Sequence, residues 1–209
     1  MAKKDDAIWY TVEELAHIMR LDYKTALEVV KNQVPYEIVD NQYMVDEDEF
    51  LHFLYGEIIY PVAHTNYIAM YGGSNSMFKE KLEPWYTVEE IAYVLKLDYE
   101  TTFKLLENSI PYLQVAGQHR VYTADFSDFI YNNMVYPGVK DKHVLYRYLN
   151  EPVIQNRQEQ MVTVQEFADL FDIDNSLALK IVKNNIPHIQ AEGHYRMPLK
   201  YIVQYVETH

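Results

Sequence analysis

The chain has no cysteine. That excludes a disulfide framework, thiol catalysis and cysteine-ligated zinc. It is also short of positive charge, with 18 Lys and Arg against 31 Asp and Glu, for a formal net charge of −13. A field of that sign repels phosphate and attracts basic surfaces. No apolar run is long enough to cross a bilayer, and Met1-Ala2-Lys3-Lys4-Asp5-Asp6 leads into no apolar segment of the secretory kind, so a cytoplasmic, soluble protein is expected. The sequence contains no P-loop, no G-x-S-x-G and no dinucleotide fingerprint. His188 and His194, with Glu192 between them, match no standard zinc spacing. No enzyme, metal or cofactor is expected.

What the chain does contain is a repeat. Thr11-Val12-Glu13-Glu14, Thr87-Val88-Glu89-Glu90 and Thr163-Val164-Gln165-Glu166 begin three copies spaced 76 residues apart, and Pro35, Pro111 and Pro187 keep that spacing. A unit built three times without a catalytic constellation reads as a binding array. The copies span residues 9–56, 85–133 and 161–209, joined by connectors 57–84 and 134–160. Tyr60-Pro61 and Tyr136-Pro137 repeat within the connectors, so these are expected to be ordered, apart from a flexible Gly72-Gly73-Ser74-Asn75-Ser76. Each copy is near the lower limit for an independent core, so neighbours are expected to share burial.

Within a copy the order is helix, turn, helix, hairpin, helix. Thr11 with Glu14 three residues on forms a capping box, and Val12, Leu15, Ala16 and Met19 fall on one helical face. Asp22, Asp98 and Asp174 cap the second helix, which stops before Val34-Pro35, Ile110-Pro111 and Ile186-Pro187 because the residue before proline avoids the helical region. A turn at Asn41, Gly117 or Gly193 predicts a small hairpin, since Asn and Gly tolerate positive φ. The fold expected is mainly α, a tandem array of three winged helix-turn-helix units with small two-stranded wings.

These residues resemble the excisionase-type, MerR-related winged helix: T-V-x-E-x-A, a second helix, an apolar-Pro step, a G-x-x-R wing and a closing helix. The resemblance covers roughly 45 residues of each copy and implies DNA binding, with the second helix in the major groove and the wing on the backbone. Carried over by position, the groove-facing base is Glu28 in the first copy, Lys104 in the second and Lys180 in the third. Lys31, Glu107 and Lys183 stand near the end of that helix, and the wing arginine is Met44, Arg120 or Arg196. If DNA binding is retained, the resemblance assigns it to Lys104, Arg120, Lys180, Lys183 and Arg196.

Two surfaces suit a protein partner instead. Asp46-Glu47-Asp48-Glu49, with Glu28, is an acidic patch fit for a basic partner, or else the acid-rich start of a helix whose dipole favours it. Leu27, Phe103 and Leu179 flank the apolar stripe of the second helix, and either widen the core or offer an apolar contact. The preferred expectation is a non-catalytic regulator or inhibitor. It contacts a basic protein, such as a nucleic-acid-binding part of a transcription or replication machine, and a phage or mobile-element product suits the composition. The alternative is a sequence-specific DNA-binding regulator or architectural protein acting through the second and third copies.

Overall fold

The computed structural model describes residues 7–59, 84–137 and 160–208. The first copy runs β1 (Trp9–Thr11), α1 (Val12–Met19), α2 (Tyr23–Gln33), β2 (Glu37–Val39), β3 (Gln42–Asp46), α3 (Glu47–Glu57) and β4 (Ile58–Ile59). The second repeats that order with β5 (Tyr86–Thr87), α4 (Val88–Leu95), α5 (Tyr99–Ser109), β6 (Tyr112–Val115), β7 (Gln118–Val121), α6 (Thr123–Asn133) and β8 (Met134–Val135). The third has β9 (Val162–Thr163), α7 (Val164–Phe171), α8 (Asn175–Asn185), β10 (His188–Ala191), β11 (His194–Met197) and α9 (Leu199–Thr208).

Local chemistry sets these boundaries. Thr11 and Thr163 accept from the backbone of Glu14 and Glu166, whose carboxylates bond back to the cap N–H, so both capping boxes close. The first helix of each copy ends in a left-handed residue, Arg20, Lys96 or Asp172. The turns place both central residues at positive φ: Asp40 and Asn41, Ala116 and Gly117, Glu192 and Gly193. That is the hairpin geometry whose twist matches the flanking strands.

The expectation of a mainly α fold with two-stranded wings holds in part. Among the described residues 57% are helical and 23% are in strands, which makes a mixed α/β protein with small antiparallel sheets. The first sheet has three strands, β1-β3-β2, and the others have four, β4-β6-β7-β5 and β8-β10-β11-β9. The unforeseen strands are two or three residues long, too short to show alternation. β1, β5 and β9 lead into the first helix, while β4 and β8 leave the last helix of one copy and join the hairpin of the next.

The chain divides into two compact bodies. One comprises the described residues of Met1–Val88 and Leu106–Thr123, the other those of Glu89–Leu105 and Ala124–His209. The repeat boundaries are therefore not the boundaries of the bodies: the β6–β7 hairpin belongs with the first copy, and α4 with most of α5 belongs with the third. In the first body Trp85, Leu113 and Val115 join a core with Leu15, Met19, Val30, Val45, Phe50 and Leu54. The Trp85 ring stacks on Phe50, with centroids 6.3 Å apart. Residues from the second copy thus complete the core of the first. Apart from residues 57–59, 84, 134–137 and 160, the expected connectors, including Tyr60-Pro61 and the Gly72–Ser76 loop, lie outside the described residues.

Candidate functional site

The hairpin arginines lie inside the structure. Arg120, on β7, is 5% exposed, and its Nε donates to the carbonyl of Met19 at 2.9 Å while an Nη donates to that of Arg20 at 2.8 Å. Its other Nη donates to the carbonyl of His119 at 2.8 Å. Arg196, on β11, is 7% exposed and repeats the arrangement: Nε to the carbonyl of Leu95, and one Nη to that of Lys96 at 2.8 Å. Met19, Arg20, Leu95 and Lys96 close α1 and α4, where the last carbonyls lack helical partners and carry the negative end of the dipole. A planar guanidinium with several fixed donors suits two adjacent carbonyls.

Arg120 and Arg196 were assigned to the DNA backbone by resemblance. The structure corrects this: each is buried and held by the end of the preceding copy's first helix. A signal for it existed in the sequence. The arginine occurs in the two copies that follow another copy, and the first copy has Met44 there.

Two further features repeat at each junction. The Trp85 N–H donates to the carbonyl of Ile18, and the Met161 N–H to that of Val94, both at 2.9 Å. β4 pairs with β6 through Ile58↔Leu113 and Ile59↔Tyr112, and β8 pairs with β10 through Met134↔Ile189 and Val135↔His188. In the second body an ion pair from Lys96 to Glu166 adds to this. Burial alone would raise the Glu166 carboxyl, but bonds from Lys96 and Thr163 bring it below its ordinary value.

The other DNA candidates stay on the surface. Lys104 is exposed on α5 and bonded to Glu100 at 2.8 Å, one turn away. Lys180 and Lys183 are exposed on α8, and the Lys183 ammonium sits 4.9 Å from the centre of the Tyr195 ring. Lys31 sits over Tyr43 at the same distance, so the first and third copies share this cation–π contact, while the second has Glu107 and His119 at those positions.

In the acidic run, Asp46 caps α3 by accepting from the Asp48 N–H at 3.0 Å. Glu47 accepts from the Tyr10 hydroxyl at 2.9 Å, and burial, reinforced by that bond, drives the Tyr10 pKa well above its ordinary value. Asp48 and Glu49 are exposed on the first turn, and Glu28 is exposed on α2. The run thus splits into a structural half and a solvent-facing half. Leu27 is half-buried against the core of the first body. Phe103 is half-buried with its ring stacked on Tyr99, 6.5 Å between centroids, and Leu179 is half-buried on α8.

His188 is buried, with Nδ1 2.8 Å from the carbonyl of Ile186, and desolvation lowers its pKa; His194 is exposed. Among the described residues no three His, Cys, Asp or Glu are grouped to hold a metal, and no helix is long and apolar enough to cross a membrane. Comparison with family models, with curated proteins and with solved structures finds no match to this chain.

Proposed function

We propose that this chain is a non-catalytic protein-interaction protein, a tandem array of three degenerate winged helix-turn-helix copies that regulates a basic protein partner by direct contact. One observation carries the reading. The two arginines on which backbone contact by the wings depends are both consumed in joining one copy to the next. What remains on the surface is predominantly acidic, including Asp48, Glu49 and Glu28. Such a surface steers a basic partner and disfavours nucleic acid. The partner class favoured by this charge is a nucleic-acid-binding protein, whose phosphate-binding surface the acidic face would engage.

A second reading is supported by the exposure of Lys180 and Lys183 on α8, the counterpart of a groove-entering helix. In that reading the third copy binds DNA, and the first two position it.

Affinity capture on the tagged chain at physiological salt, split into nuclease-treated and untreated halves, separates the two. The interaction reading expects a stoichiometric protein that survives nuclease, and slower association when Asp48→Asn and Glu49→Gln are combined. Recovery of DNA alone, with binding abolished by Lys180→Glu and Lys183→Glu and a steep salt dependence, would replace it with the DNA reading.

A further inference from the structure

Each junction inside the chain shows what the end of a copy's first helix receives. From the following copy come an arginine onto two terminal carbonyls, a backbone N–H onto the carbonyl before them, and apolar hairpin residues. Leu113 and Val115 arrive in this way in the core that contains Ile18, Met19 and Leu54.

In the third copy the described residues of the same face are exposed. Leu170 stands where the repeat has Ile18 and Val94, and is 65% exposed against their 5% and 0%. Val206 stands where it has Leu54 and Ile130, and is 53% exposed against 2% for each. The charge at the helix end is also reversed. The left-handed cap that is Arg20 in the first copy and Lys96 in the second is Asp172 in the third. An acid beside the negative end of a helix dipole is locally unfavourable, and an arriving cation relieves both charges.

A second copy of this chain is a poor occupant. Its first copy would bring Met44 in place of the arginine, and Glu37 in place of Leu113 or Ile189. We infer that the end of α7 at Leu170–Asp172, together with Val206, docks a basic partner protein through a β-hairpin bearing an arginine between apolar residues. This rests on the protein-interaction reading above and gives it a surface and a ligand chemistry. Affinity comes from burying Leu170 and Val206, and specificity from the guanidinium on the carbonyls of Phe171 and Asp172 with the Asp172 carboxylate alongside.

The probe is a backbone-cyclised peptide of residues 111–122, which carries Leu113, Val115 and Arg120, titrated into the isotope-labelled full chain. The expected result is saturable binding with amide shifts at Leu170–Asp172 and Val206, weakened about ten-fold or more by Asp172→Lys in the chain or Arg120→Met in the peptide. Asp172→Lys restores the type of residue found at Lys96, at an exposed position, and its amide spectrum checks that the fold is kept. No saturable binding at millimolar peptide, or binding indifferent to Asp172→Lys, overturns the proposal. So does sedimentation showing that the chain alone forms head-to-tail oligomers dispersed by Leu170→Glu. Failure of the peptide alongside a nuclease-resistant protein partner indifferent to Asp172→Lys rejects this surface alone. Capture of DNA alone rejects the interaction reading itself.

Discussion

The Nε of Arg120 donates to the carbonyl oxygen of Met19 across 101 residues of chain, at 2.9 Å. Arg196 meets the carbonyl of Leu95 at the same separation in sequence. A repeat of fixed period with a fixed junction produces the same bond twice. It also turns a residue type associated with phosphate contact into a joint.

Removing that joint should cost stability before it costs any binding. Arg196→Met leaves the end of α4 without its donors inside a buried junction, and should destabilise the second body by about 2–4 kcal/mol. Arg196→Lys should recover little, since one ammonium cannot reproduce the planar fork. Urea denaturation of both variants is the check. An unchanged midpoint together with lost DNA affinity would return the arginine to nucleic-acid contact.

Trp85 belongs to the second copy by sequence and to the core of the first by packing. Its side chain is fully buried, so Trp85→Ala should destabilise the first body by about 3–5 kcal/mol. Hydrogen exchange of α1 and α3 should report the loss. Protection that drops in α4 but not in α1 or α3 would contradict the shared core.

The capping boxes make a smaller and more local prediction. Thr163→Ala strips α7 of its side-chain acceptor and should cost about 1 kcal/mol, while Thr163→Ser should be close to neutral. Thermal melts resolve the pair, and equal losses in both variants would mean that the methyl group rather than the hydroxyl matters.

Stability should fall on both sides of a maximum in pH. Asp125, half-buried on the first turn of α6, is desolvated and faces Asp128, and its pKa is pushed up to about 7. An unfolded aspartate titrates near ~3.9. The stabilisation from keeping Asp125 protonated is therefore complete below that value and is lost as pH rises through about 7. Asp22 and Asp174 run the other way. Side-chain and backbone bonds from Thr25, and from Ser176 and Leu177, lower their pKa values. Asp98 is lowered by the corresponding bonds from Thr101. These three contribute above the ordinary aspartate range, and the contribution fades as pH falls through their folded values. Denaturation across pH should show both limbs, and Asp125→Asn should flatten the alkaline one alone. An alkaline limb that survives in Asp125→Asn would assign it to another group.

Much of this architecture follows from the sequence alone, because it depends on contacts a few residues apart. The 76-residue period, the Thr–Glu capping boxes, the Asp caps, the stop before each proline and the positive-φ turn residues are local relations, and spacing records them. What the tertiary structure decided lies between copies. Ile58 pairs with Leu113 and Met134 with Ile189, 55 residues apart each time, through strands of two residues that carry no periodicity of their own. Arg120 and Arg196 have the same local surroundings whether they face a phosphate or a helix end, since both offer oxygen acceptors to the same donors. Only the packing of one copy's hairpin on the previous copy's first helix chose between those partners, and burial together with the orphaned carbonyls of that helix made the choice favourable.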